Sequence, residues 1–420
     1  MCNLIHKVKA FGISGILSFF ECKWFSVRMR IRLKVDALLH PLEPAYGITV
    51  VAEFGASNSL NKTMRDIVVR LKRAGIPYQT LDITKGKRQN SDIDYLLTPR
   101  GEFRSKRYKF VIEMMKGFYP KLDGLRLARV VFWEANDGVI RAFPFVADGR
   151  LAIGMSDFNV ATLRKEIGSD NTLKLRYPFV FDPHEPLSED VREKYGIPAD
   201  SFMVFFNFDY TAYARKNPES AVRAFASAFS GEGNTVLVFK TVKGKVFNRY
   251  RQALLSVVKE VGLQERFIEI PDYIPLSDVY ALTASCDVYL SLHRGEGFGL
   301  GIAEAMSLGK PVVVSDYSST TEFCKKDNAC LVPCKMVKPT AGECEQIPYS
   351  WAITEWAEPD IQVAAKWLVA LYRDEKFRTD IGKSARKFIK TYFSDNEFKK
   401  SVVDCLRNYC GVDDCITVKG

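Results

Sequence analysis

The chain carries only four histidines, and none of its ten cysteines stands in a C-x-x-C pair. That excludes a thioredoxin-type redox motif. The nearest thing to a cluster, Cys324, Cys330, Cys334 and Cys344, lacks the tight pairs of a structural zinc site. With no convincing secretory leader, these cysteines read as reduced thiols in a cytoplasm. No internal repeat is present, which removes the solenoid architectures. The apolar run Ala10–Phe20 follows Lys7 and Lys9 but lacks a small-x-small cleavage site, and it falls short of the about 20 residues that span a bilayer. The glycine-rich turns GASNSL (Gly55–Leu60) and GEGFGLG (Gly295–Gly301) do not spell G-x-G-x-x-G, which counts against a dinucleotide site.

What is present describes a soluble globular protein. Hydrophobic residues make up 47% and charged residues 26% of the 420 positions, enough for two domains of about 150–200 residues each. The formal net charge of +10 points to an anionic partner: a phosphate-bearing small molecule, a membrane surface or nucleic acid. Near the N-terminus, CKWFSVRMRIRLKV interleaves aromatic and aliphatic residues with Arg28, Arg30, Arg32 and Lys34. Two readings fit this segment, a helix resting on an anionic membrane face and a helix packed on the protein's own surface.

From Ile48 onward, short apolar runs alternate with helical stretches, the pattern of a doubly wound α/β design. ITVVAEFG, YQTLDI, ARVVFWEAN and GRLAIGMSD read as strands, and NKTMRDIVVRLKRAG as a helix stopped by Gly75. The proline-rich YPFVFDPHEPLSEDV reads as a linker. A second series follows, with strands SFMVFFNFD, NTVLVFKTV, RFIEIPDY, DVYLSLH and PVVVS separated by helices. Two such halves face each other across a cleft, and ligands bind where the loops converge beyond the carboxyl ends of the strands.

The stretch HRGEGFGLGIAEAMSLGKPVVVS occupies such a place, with a strand end, a glycine turn and a helix start. A helix N-terminus offers unpaired N–H groups and a partial positive charge suited to phosphate. Glu296 and Glu304, on either side of the turn, would repel phosphate, so they must face something else. Ionised carboxylates accept paired hydrogen bonds from adjacent hydroxyls, so one fits a sugar and the other a ribose. Arg215 and Lys216 in ARKNP precede Pro218, a residue suited to open a helix.

SLHRGEGFGLGIAEAMSLGKPVVVSDYS resembles the donor-site signature of retaining GT-B glycosyltransferases of family 4, with its E-x7-E motif. FDYTAYARKNPESAVRAFASAF and YSWAITEWAEPD resemble companion motifs of a bacterial branch of that family. The likeness covers much of 203–393, is looser over 46–180 and is absent from 1–45. It implies sugar transfer from a nucleotide diphosphate donor with retention of anomeric configuration and no obligatory metal or cofactor. It further implies that Glu296 contacts sugar hydroxyls and Glu304 the ribose. The amides of Phe298, Gly299 and Leu300 would face the sugar and diphosphate, which Arg215 and Lys216 neutralise. Many relatives place a further arginine upstream of the lysine, where this chain has NFDYT; Arg215 or Arg294 is the candidate substitute.

Other candidates around the cleft are weaker. His293 and Arg294 end one strand, and Lys240 ends another. Gly55 and Ser59 lie in the first strand-to-helix turn, as candidates for an acceptor or phosphate loop. Glu134 and Asp137 in FWEAND are candidates for acceptor contact. Asp92 and Asp94 form a D-x-D in a polar segment and read as loop.

The sequence therefore predicts an α/β GT-B protein of two Rossmann-like doubly wound domains. Its expected parts are a basic amphipathic segment (1–45), an acceptor domain (46–180), a donor domain (181–395) and a tail (396–420). The expected activity moves a hexose from a GDP- or UDP-sugar to a glycan or lipid-linked acceptor in cell-surface polysaccharide synthesis. The expected location is cytoplasmic, at the inner face of the membrane, with peripheral contact to anionic lipid. The rival readings are a sugar-nucleotide epimerase or a phosphorylase on the same fold, and a non-catalytic anion- or nucleic-acid-binding module.

Overall fold

The structure is a computed structural model that describes residues 24–40, 45–56, 59–84, 91–99, 101–114, 119–123, 125–181, 190–231, 233–344 and 352–410. Two six-stranded parallel sheets carry the architecture, in agreement with the predicted pair of doubly wound halves. The first contains β1 (Ala45–Ala52), β2 (Tyr78–Asp82), β3 (Tyr108–Met114), β4 (Arg126–Val130), β5 (Leu151–Gly154) and β6 (Thr172–Lys174), in the order β2-β1-β3-β4-β5-β6. The second contains β7 (Phe202–Asp209), β8 (Thr235–Val242), β9 (Phe267–Ile270), β10 (Val288–Ser291), β11 (Val312–Ser315) and β12 (Cys330–Val332), in the order β12-β11-β10-β7-β8-β9.

Alternating side chains explain how the first sheet is covered on both faces. Ile48, Val50 and Ala52 of β1, with Phe110 and Ile112 of β3, face the main core. Val51, Val111 and Leu127 point the other way, where Leu33 packs on them. That second face is covered by α1 (residues 24–39), and the main-core face by α2 (Ser59–Arg73). Sequence pattern alone did not single out β3, because it follows a polar stretch and buries a glutamate, Glu113, between Arg129 and Arg150.

Two stretches differ from their expected roles. Tyr177 and Phe179, in the presumed linker, are buried in the main core, and Phe181 packs against it. Residues 182–189 lie outside the described residues. Beyond 395, where a tail was expected, Asp395–Cys410 forms a helix that returns to the first half and packs near α2, burying Phe398, Val402 and Leu406. Its apolar stripe at helical spacing supplies the driving force. Arg70 of α2 ties that return by donating to the Phe393 carbonyl and to Asp395.

A second connection between the halves comes from a hairpin. β13 (Cys334–Val337) pairs antiparallel with β14 (Trp356–Pro359). Its incoming arm, residues 352–355, lies on the loop after β4. Thr354 donates to Asp137, Asn136 to Glu355 and Arg141 to the Ala352 carbonyl.

Candidate active site

In the second sheet the chain order reverses between β7 and β10, which are hydrogen-bonded neighbours. The crevice beyond their carboxyl ends is the place where open α/β sheets bind ligands. The loop after β7 supplies Arg215 and Lys216, on the short helix Tyr213–Lys216. Asn217 then adopts a left-handed conformation and Pro218 opens the helix Pro218–Ala228, so the chain turns sharply and leaves both cations at the strand end. The loop after β10 supplies Glu296. The two loops are stitched together by Arg294, whose N–H donates to the Arg215 carbonyl at 2.8 Å and whose guanidinium donates to the Ala214 carbonyl at 2.9 Å.

The lysine and arginine converge on one carboxylate. Lys216 donates to Glu296 Oε1, and Arg215 lies 3.3 Å from Glu296 Oε2. Arg215 also donates to the Gly295 carbonyl at 2.7 Å and approaches Glu134 of the first half at 3.6 Å. Burial alone would raise the Glu296 carboxyl, but Lys216 and Arg215 overcome it and hold the group down at about 2. Ser318 fixes the backbone by accepting from the Glu296 N–H at 2.9 Å. Glu296 is therefore an ionised, oriented acceptor.

Glu304 lies one turn inside the helix Leu300–Ser307 and has the opposite character. It is buried, and among the described residues Tyr280 alone donates to it, at 3.4 Å. Burial pushes its carboxyl up to about 7, with Asp66 adding to the rise and Lys62 opposing it. Asp66 is itself raised to about 6 by burial, despite its 2.7 Å ion pair with Lys62. Helix α2 thus brings two charged residues of the first half toward the second glutamate.

Glycine is required at two points of the turn. Gly299 caps the helix at φ 92°, a left-handed conformation, and a Cβ there would meet Thr320 at 2.5 Å. At Gly295 a Cβ would meet the Glu134 carbonyl oxygen at 2.2 Å. The second requirement comes from the facing half, so the turn is shaped by both.

The resulting crevice has a volume of about 460 Å³, within the range of small-molecule sites. Glu296, Lys216, Arg215, Glu304, Phe298, Gly299, Leu300, Lys240 and Glu134 all line it, so most of the residues singled out from sequence share one space. The cluster contains paired cations, an ionised acceptor and a helix tip, and it can hold a phosphate-bearing polyhydroxyl ligand.

Several expected residues do other work. His293 is not in the crevice lining. It is fully buried, within 3.2 Å of Ser291 Oγ and 3.3 Å of both Thr320 and the Tyr317 carbonyl, and burial lowers it to about 4. Arg294 pairs with Glu358 and Glu343 and sits over the Trp356 ring, so it braces the hairpin and Arg215 is the second cation at Glu296. Lys240 lines the crevice but donates to the Asp272 carbonyl at 2.6 Å. The Gly55 N–H donates to Thr84, and Gly55 is not in the lining. Ser59 opens α2, and its side chain lies outside the described residues. Asp137 is held by Thr354 and Arg141 in the interdomain contact. Asp92 faces Arg65 at 3.6 Å, as a loop residue.

Other wall residues were not anticipated. Thr63 and Leu60 of α2, together with Phe132, line the crevice. Tyr177 stacks on Phe298 with centroids 3.4 Å apart, and its hydroxyl meets Thr63 Oγ1 at 2.8 Å. The alternation of aromatics at 177, 179 and 181 was the available signal, since in an extended chain it places all three on one face. Among the described residues no group of His, Cys, Asp and Glu is arranged to hold a metal ion.

Comparison with known proteins gives a partial identification. Residues 211–347, less than half of the chain, match the family model of glycosyl transferases group 1. The chain is 25% identical over 211 residues to O-antigen chain mannosyltransferase B of Escherichia coli, covering 50% of this chain and 48% of that protein. It therefore spans about half the length of the curated relative it matches. Among solved structures, a glycosyltransferase from Rickettsia africae aligns with a TM-score of 0.62 at 14% identity, over 87% of this chain and 99% of the other. Anabaena HepE in complex with UDP-glucose aligns with a TM-score of 0.61 at 14% identity, over 87% and 100%. The fold is thus the two-domain GT-B arrangement, and the part of it that holds Arg215, Lys216, Glu296 and Glu304 carries the likeness to glycosyl transferases group 1.

Proposed function

We propose that the chain is a retaining glycosyltransferase of family 4 that moves a sugar from a nucleotide diphosphate-sugar to a glycan or lipid-linked acceptor. The observation that carries this reading is the convergence of Lys216 and Arg215 on ionised Glu296, in the crevice that also exposes the tip of the helix beginning at Leu300. When a donor enters, the diphosphate takes a share of both cations, and Glu296 accepts from sugar hydroxyls. Glu304 accepts from the ribose. The bond between the anomeric carbon and the diphosphate oxygen breaks, and the acceptor oxygen bonds to the same carbon from the leaving face. The acceptor proton passes to the departing diphosphate. Charge developing on that group is met by Lys216, Arg215 and the helix dipole.

The names of the relatives suggest the donor class: one is seen with UDP-glucose and one is a mannosyltransferase, so the donor is a UDP- or GDP-hexose. Cell-surface polysaccharide synthesis is the setting this reading favours. The test is a thermal-shift screen against nucleotide-sugars, followed by anomeric analysis of the product. One donor should raise the melting temperature of the wild type and raise that of Glu304→Ala much less. An inverted anomer overturns the retaining mechanism, and donor consumption without acceptor moves the assignment to an epimerase. Turnover that requires inorganic phosphate moves it to a phosphorylase.

A further inference from the structure

Helix α1 has two apolar faces, and among the described residues only one of them is packed. Leu33 is 2% exposed, and with Phe25, Met29 and Ala37 it forms the face that seats the helix on the first sheet beside Val51, Val111 and Tyr119. On the opposite side Trp24, Val27, Ile31, Val35 and Leu38 recur at spacings of three and four, which makes a continuous stripe about 21 Å long. Trp24 is 66%, Ile31 57% and Leu38 85% exposed. Val27, Val35 and Leu39 are also exposed. Such a stripe on the outside of a folded domain marks a binding surface.

The charges around it identify the partner. Arg28 and Arg32 lie along one edge of the stripe and Lys34 along the other; all three are exposed, as is Arg30 beyond Lys34. The helix has one acid, Asp36, which faces inward, accepting from the Ser105 N–H at 2.6 Å and pairing with His40. The outer surface is therefore apolar along its centre and cationic along its edges. A helix of that design lies in the interface of an anionic bilayer, with its side chains among the acyl chains and its cations at the phosphates. Residues 1–23 continue the same composition, with Lys7, Lys9 and Lys23 around Ala10–Phe20. Among the described residues no helix is long and apolar enough to cross a membrane.

We infer that the outer face of α1, from Trp24 to Leu39, docks the protein in the plane of an anionic lipid bilayer. This does not depend on the chemistry proposed for the crevice. The test is co-sedimentation of the full chain with phosphatidylcholine vesicles prepared with and without phosphatidylglycerol. Wild type should bind the anionic vesicles, and less so as salt rises. Ile31→Asp with Leu38→Asp should weaken that binding by at least about tenfold. Arg28→Glu with Arg32→Glu should abolish the preference for anionic lipid. These side chains point away from the core, so both variants should keep the wild-type melting temperature, and that measurement separates lost docking from lost folding. Equal sedimentation of wild type and variants, or none by wild type, overturns the inference. So does a lipid-free dimer that Ile31→Asp converts to monomer, which would make a second copy the occupant. Trp24 emission that is already blue-shifted without lipid, measured against Trp24→Phe, would also overturn it by showing the face covered from within the chain.

Discussion

Glu296 and Glu304 are the same residue type on one short stretch, yet their surroundings give them opposite properties. Glu296 sits in a loop between two cations and is ionised down to about pH 2. Glu304 sits in a helix, with Asp66 nearby and, among the described residues, a single tyrosine donor, and holds its proton up to about pH 7. The contrast teaches that spacing along the chain locates a functional pair, while packing across the crevice decides what each member does. A carboxylate already neutralised by fixed cations is preorganised for charge that develops during reaction. One that is half protonated at neutral pH is tuned by what binds.

The contrast can be broken from the Glu296 side first. Lys216→Ala removes a partner of the carboxylate and, in the proposed reaction, a cation for the leaving diphosphate. It should lower kcat about a hundred- to thousandfold, corresponding to about 2.7–4 kcal/mol of barrier, as measured by steady-state kinetics. Glu304→Ala should act on the ground state instead. Donor affinity should fall about tenfold or more with a smaller change in kcat, because the proposed charge-assisted hydrogen bonds to the ribose would be lost. If the two variants show the same split between kcat and KM, the assigned division of labour is wrong.

Acidity sharpens the comparison further. Glu304 has a folded pKa raised above its ordinary 4.5, so the folded state binds the extra proton and stability falls as pH rises from about 4.5 through about 7. Asp66 has the same sign, falling through about 6. Glu296 is depressed, so its contribution is present above about 4.5 and is lost as pH drops toward about 2. Melting temperatures of Glu304→Gln should therefore decline less than wild type, by a few degrees, between pH 5 and 8. Glu296→Gln should lose its deficit relative to wild type as the medium is acidified from pH 4.5 toward 2. The smallest effect belongs to the interdomain hairpin contact. Asp137→Ala should cost about 1 kcal/mol in denaturant unfolding and leave the pH slopes of both glutamates in place.

The features legible in sequence were those set by short-range pattern. Strand and helix periodicity revealed two doubly wound halves, and the E-x7-E spacing with ARKNP placed Glu296, Arg215 and Lys216 in loops beyond strand ends and Glu304 in the helix that follows, all of which the fold brings to one crevice. Local pattern cannot rank residues by tertiary surroundings. His293 and Arg294 adjoin the motif, but one is enclosed by Ser291, Thr320 and the Tyr317 carbonyl, and the other is taken up by Glu343, Glu358 and Trp356. Tyr177 and Thr63 are distant in sequence from both glutamates and meet the crevice only because the halves fold against each other. Strand β3 escaped notice because its buried glutamate breaks the apolar run, and the arginines that satisfy it come from β4 and from the residue just before β5.

The helix Asp395–Cys410 completes the first half although it follows the whole second half in sequence. Shuffling the halves between relatives is therefore a two-cut operation: any chimera joined at a single point near residue 180 would receive its closing helix from the wrong parent. Such hybrids should improve when Asp395–Cys410 is exchanged together with the N-terminal unit it packs on.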